Sequence, residues 1–309
     1  MGRSETAARW SIISNSCLVA GKLAAGTSAG SVSIISEALH SGLDLAAALI
    51  AFFSIRAASR PADEIHQYGH GKIENISGSI EAGLILLAAV WIIYDALTSL
   101  ALGPAPEALG LGMLVMGLSA AVNWYLSRYL LRVARNEESI ALEADAMHLR
   151  TDVYTSAGVV VGLAVIYLTG YLFLDSLIAL AVAGMIIKAG ITLLREAASP
   201  LVDVRLPEGE EQAIRDIIQQ HAGQYVEFHR LRTRRAGPVR YVDLHLVVPH
   251  NLHVDEVHRI CEAIEREVEA RFPASQVLIH VEPCSTYCEI GDECAERGRN
   301  DLAGGEYDR

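Results

Sequence analysis

The sequence predicts an α-helical membrane protein, with six transmembrane helices followed by a C-terminal α+β domain. Three observations carry this. Of 309 residues, 51% are hydrophobic and only 20% are charged, unlike an ordinary soluble domain. The apolar residues are concentrated before Leu201. After "ASPLVDVRLPEGEE" the pattern changes to amphipathic helices and alternating strands.

Six apolar segments fall at roughly 10–30, 33–56, 78–101, 108–132, 146–169 and 174–195. Most exceed the ~20 residues that span a bilayer as a helix. Lys and Arg set the orientation. Arg3 and Arg9 precede the first span, Arg56, Arg60 and Lys72 lie between spans two and three, and Arg128, Arg132 and Arg135 lie between four and five. The connections "AGTSAGS", "ALGPAPEALG" and "TGYLFLD" contain neither residue, so both termini are expected in the cytoplasm. Lys22, inside the first span, reads as a snorkelling side chain. "MGRSETAARW" leads straight into a full-length span rather than a cleavable signal peptide.

The polar third begins with "EGEEQAIRDIIQQHA", an amphipathic helix with acidic residues in its first turn. "VEFHRLRTR" and "VRYVDLHLVVP" read as strands joined at "RAGP", and "HVDEVHRICEAIEREVEARF" as a helix with Val257, Ile260, Ile264 and Val268 on one stripe. "SQVLIHVEP" is the last strand. The order αββαβ suits a ferredoxin-like sheet with both helices on one face. The expected division is 1–200 for the membrane domain, 201–285 for the soluble domain, and 286–309 for a flexible tail containing cysteine. Cys284, Cys288 and Cys294 have irregular spacing and face a reducing compartment, so no disulfide is expected. A net charge of -12 argues against nucleic acid and suits cations.

The chemistry lies in the least apolar spans. "SEALHSGLD" and "AMHLRTDVY" each place a His four residues before an Asp, His40 with Asp44 and His148 with Asp152. Residues four apart share a helix face. A charged side chain at the bilayer centre costs about 2.5–3.5 kcal/mol, so two such carboxylates need a purpose. Two imidazoles and two carboxylates form a four-ligand set for Zn²⁺ or a similar cation, which would neutralise the carboxylates. The two triplets of spans run in opposite orientation, and the motifs occupy equivalent middle helices, as in inverted-repeat transporters. A rival reading takes Glu37-x-x-His40 and Asp145-x-x-His148 as halves of a di-iron carboxylate site. That site lacks further carboxylates, since Glu81 alone sits at a suitable depth.

The paired motifs, the six-span layout, the loop "RPADEIHQYGHGKIE" and the C-terminal "IHVEP" together resemble the cation diffusion facilitator family over residues 8–284. The resemblance implies a homodimeric exporter of divalent metal, typically zinc, driven by inward proton movement and sited in the bacterial inner membrane. Its transport site falls on His40, Asp44, His148 and Asp152. Asp63, His66 and His70 match a second, loop-borne metal site, and Lys72 and Asp203 match a charge pair linking the membrane and cytoplasmic parts. His229, His245, His258, His280 and Glu282 match a cytoplasmic metal pair at the dimer interface, where zinc would be structural or regulatory. Strand alternation places His280 and Glu282 on one face. Glu282 is a methylene longer than the Asp often found there.

These readings combine into Zn²⁺/H⁺ antiport by alternating access, with no enzyme activity. Four nitrogen and oxygen ligands also accept Fe²⁺, Mn²⁺, Co²⁺, Ni²⁺ or Cd²⁺. The competing classes are a membrane metal sensor or scaffold and the di-iron enzyme.

Overall fold

A computed structural model describes residues 2–29, 32–102, 111–169 and 173–284. The chain divides into two compact units at Val202/Asp203. The tail expected at 286–309 lies outside the described residues.

The first unit contains six long helices: α1 (Arg3–Ala29), α2 (Val32–Ala58), α3 (Lys72–Leu102), α4 (Leu111–Glu137), α5 (Ile140–Thr169) and α6 (Phe173–Ala198). They overrun the apolar segments, because their polar end turns are helical too. Among the described residues, Ser41–Ala58, Lys72–Ala101 and Ser176–Val202 are long and apolar enough to cross a membrane. The other helices carry more polar residues, with Asn15 and Lys22 on α1, Asn123, Arg128 and Arg132 on α4, and Asp145, His148, Arg150 and Asp152 on α5. Lys22 does not snorkel. It is buried, and its Nζ donates to Ser41 Oγ on α2 at 2.8 Å. A helix neighbour thus replaces water as the acceptor.

α1 packs on α2, α4 on α5, and α3 on α6, with α5 also touching α2 and α3. Small residues recur every seventh position on both partners of the α3–α6 pair: Ala82, Ala89 and Ala96 on one, Ala183, Gly190 and Ala197 on the other, all buried. In lipid, where no hydrophobic effect drives helices together, such residues let backbones approach. The pair is antiparallel, with Gly78 against Ala197 and Gly190 against Leu86. Asn75 Nδ2 donates to the Ala197 carbonyl at 3.2 Å. A Cβ added at Gly190 would lie 2.9 Å from Leu86 Cδ2 and 3.3 Å from Ile85 Cγ2. Gly190→Val is therefore expected to cost about 1–3 kcal/mol by overpacking. Gly184→Ala, at a position with nothing within 4 Å, is the control. Unfolding temperatures in detergent make the comparison, and equal values for the two variants would contradict the close approach.

The second unit has α7 (Glu208–Gln220), β1 (Glu227–Ala236), β2 (Val239–Val248), α8 (Val254–Arg271) and β3 (Ser275–Pro283), the αββαβ order expected from the sequence. The sheet order is β1-β2-β3, with the first pair antiparallel and the second parallel. Gly237 and Pro238 form the hairpin loop between Ala236 and Val239. Gly237 takes φ 60°, and the pyrrolidine ring fixes the next φ, as a type II′ turn requires. Strand alternation divides β2. Val242, Leu244, Leu246 and Val248 are buried against Ile214, Ile217 and Ile218 of α7 and Ile260, Ile264 and Val268 of α8. Asp243, His245 and Val247 point to the opposite, open face. α8 begins with a capping box, in which His253 accepts from Asp255 N–H and the Glu256 carboxylate accepts from His253 N–H.

Candidate metal sites

Three groups of ligating side chains each bring one donor atom per residue within 4.8 Å of the others. The first joins Asp44 of α2 to His148 and Asp152 of α5. His148 and Asp152 are one turn apart on α5, and the packing of α2 against α5 supplies the third group. His148 Nε2 lies 3.1 Å from Asp44 Oδ1, and Asp44 is only 4% exposed. Asn123 Nδ2 of α4 donates to Asp152 Oδ2 at 3.5 Å. His40 lies on α2, one turn before Asp44, but its side chain is outside the described residues. The arrangement offers a divalent cation two carboxylates and an imidazole in a water-poor setting.

Asn123 escaped the sequence reading. Its only signal is an amide in the apolar run "LSAAVNWYL", and no sequence spacing links it to Asp152, because the two meet only when α4 packs on α5.

The second group, Asp63, His66 and His70, folds within one loop. Asp63 Oδ1 accepts the backbone N–H of Ile65 at 3.0 Å and of His66 at 2.5 Å. The bond from the His66 N–H is the main reason its carboxyl is held below the usual range. His66 Nδ1 lies 3.3 Å from Asp63 Oδ1, His70 Nε2 lies 3.3 Å from Oδ2, and the rings are 4.4 Å apart. Gly69 at φ 80° permits the reversal that brings His70 back.

The third group, His229, His245 and Glu282, lies on the open face of the sheet. Register puts His229 opposite His245, and His245 opposite His280, so three imidazoles form a row across three strands. Their ring centroids are 5.3 and 4.7 Å apart. A bulge follows at once: Arg230 takes φ 51°, and the pairing resumes at Arg232 with Asp243. Glu282 Oε1 is 2.7 Å from His245 Nδ1, and Oε2 is 3.5 Å from His229 Nε2. The bond from His245 is foremost in holding the Glu282 carboxyl below its usual range, with the positive charge of neighbouring imidazoles adding to it. His280 is more exposed and stands 3.7 Å from Glu282 Oε1. His258 is exposed on α8, away from this row. Glu227, absent from the sequence reading, is 3.6 Å from His229 Nδ1. Lys72 starts α3, and Asp203 opens the second unit at φ 55°, 3.5 Å from Arg234 Nη1.

The Glu282 shift has a definite sign. A depressed carboxyl pKa stays ionised through neutral and mildly acidic pH, and its pairing weakens only as pH falls through the lowered value. Proton competition with a bound cation in mild acid therefore spares Glu282 and falls on the nitrogen ligands, since an imidazole must be neutral to ligate. Zinc affinity of the second unit, measured by chelator competition, is expected to fall as the pH is lowered, by up to about 100-fold per pH unit where two histidines must each lose a proton to ligate. A flat profile would exclude histidine ligation there.

Comparison with known proteins places the whole chain. The family model described as "Cation efflux transmembrane domain" matches residues 8–202, and "Cation efflux protein, cytoplasmic domain" matches residues 206–284. The chain is 41% identical to a transporter of Synechocystis sp., sll1263, over 85% of this chain and 84% of the relative. It is 33% identical to the cation-efflux pump FieF of Serratia proteamaculans, over 87% of this chain and 89% of that one. A solved chain of CzrB in a Zn form, a candidate zinc transporter, is 41% identical over 28% of this chain and 99% of its own, with a TM-score of 0.26.

Proposed function

Since the chain belongs to the cation diffusion facilitator family of cation-efflux transporters, we propose that it carries Zn²⁺ out of the cytoplasm in exchange for protons, by alternating access in a homodimer. The observation that carries this reading is the meeting of Asp44, His148 and Asp152 between α2 and α5. With His40 one turn from Asp44, they make the two-nitrogen, two-oxygen set that suits a tetrahedral borderline cation. Loading the inward-facing site requires a neutral imidazole and ionised carboxylates. Protons arriving on the far side compete for the same atoms and release the metal. The His229, His245, Glu282 face and the Asp63, His66, His70 loop are assigned to metal on the cytoplasmic side, where binding favours the transport-competent pairing of two copies.

Zinc uptake into proteoliposomes under an imposed pH gradient tests the proposal. Uptake should follow the gradient and stop when a protonophore collapses it. Zinc binding without flux would favour a sensor, and flux of Mn²⁺ or Fe²⁺ in preference to zinc would change the cargo.

A further inference from the structure

Two carboxylates beside the membrane site are not used by the reading above. Glu81 of α3 and Asp145 of α5 are both 0% exposed. By hydrogen-bond geometry neither oxygen of Asp145 is satisfied among the described residues, nor is Glu81 Oε2, although Ser11 of α1 lies close enough to the Asp145 carboxyl to act on it as a donor. Glu81 Oε1 accepts from Ser77 at 3.3 Å. Asp145 precedes His148 by three residues and so shares its helix face. A helical side chain leans back over the preceding turn, which brings the imidazole toward Asp145. Glu81, Asp145 and His148 lie within one another's electrostatic reach. His148 Nδ1 is also buried without a partner, while its Nε2 faces Asp44.

We propose that Glu81 and Asp145 are positioning residues for His148: when its Nε2 lone pair goes to a divalent cation, one of these carboxylates accepts the Nδ1–H. This deepens the transport reading and rests on it. The reasoning is a matter of valence. A neutral imidazole ligating through Nε2 must carry its proton on Nδ1. A buried N–H left without an acceptor forfeits its hydration with nothing in return. Buried acceptors and a buried ring nitrogen without hydrogen-bond geometry to any partner, within electrostatic reach of one another, meet that need. Nε2 stands 3.1 Å from Asp44 Oδ1, on the side where the cation would bind, which leaves Nδ1 for the carboxylates. Partners of this kind orient a ligating imidazole and raise its basicity.

Zinc transport kinetics of the full chain in proteoliposomes test this. Glu81→Met with Asp145→Leu removes both acceptors while keeping the interior apolar, and should raise the zinc KM about 10–100-fold with little change in maximal rate. Glu81→Gln with Asp145→Asn keeps a carbonyl acceptor and should recover most of that loss. A merely structural role would lower yield and unfolding temperature and leave KM alone. An unchanged KM in the inserted apolar variant overturns the proposal. If that pair does not insert, Glu81→Met and Asp145→Leu are made singly: the KM should rise in the variant that loses the accepting carboxylate, and an unchanged KM in both overturns the proposal. Absence of zinc flux in the wild type would instead remove the transport reading on which this depends.

Discussion

Asp44→Ala and Asp152→Ala should each reduce zinc flux to the level of protein-free vesicles. Each carboxylate supplies a charge as well as a donor atom. With both present, a dication entering the site is neutralised by ligands already held in place. With one removed, a net positive charge would have to sit among apolar helices, and charge at that depth costs about 2.5–3.5 kcal/mol or more. A loss of that size is roughly 100-fold in affinity before any change in coordination is counted. Asp152→Asn, which keeps the Asn123 contact and one oxygen donor, should leave slow flux. Because Asp44→Ala removes the partner of His148 Nε2 and Asp152→Ala that of Asn123, yield and unfolding temperature of each variant are measured beside its flux. Zinc binding by the His229, His245, Glu282 face serves as the control, since it lies in the other unit. Near-normal flux in either alanine variant would remove Asp44, His148 and Asp152 from the transport path.

What could be read in advance follows from how far apart the cooperating residues lie in the chain. His66 and His70 share a spacing of four but meet through the loop reversal at Gly69, whereas His148 and Asp152 meet at that spacing on α5, where helix periodicity was enough. The stripe Ile260, Ile264, Val268 was legible for the same reason, and it is buried as expected. Contacts between helices were not legible. Lys22 with Ser41 depends on the packing of α1 against α2, and Asn123 with Asp152 on that of α4 against α5. Glu81 and Asp145 were visible as odd carboxylates but were weighed as iron ligands. That these carboxylates are buried within electrostatic reach of His148 appears only in three dimensions. The helices outrun the apolar segments for another reason. Hydropathy marks the lipid-facing part, while the helix runs on wherever polar groups find partners. At the start of α3, Ser139 Oγ donates to buried Glu74 Oε2 at 2.5 Å. His258 was assigned by its match to a motif, and in the structure it is exposed on α8, away from the row of histidines on the sheet.

The core of the second unit and its metal face are separable, which gives the other large effect. Leu244 and Leu246 flank His245 on β2 but point the opposite way, into the cluster with Ile218 and Ile264. Leu246 is fully buried, so Leu246→Ala should cost about 2–5 kcal/mol through lost transfer energy and a residual cavity. A domain holding about 5–15 kcal/mol could lose much of its stability from that one change. Zinc at about 100 times its dissociation constant returns about 2.7 kcal/mol by mass action, because it binds the folded state. Thermal unfolding of residues 203–284 made as a separate chain should therefore show the same zinc-induced gain in Leu246→Ala as in wild type, starting from a lower base. His245→Ala should do the reverse, with a small loss without metal and no gain with it. This crossed result follows from the period-two alternation of β2, which gives alternate residues to the core and to the open face. If Leu246→Ala abolished the zinc response while the domain remained folded, the ligand row would depend on core packing, and the open-face assignment would be wrong.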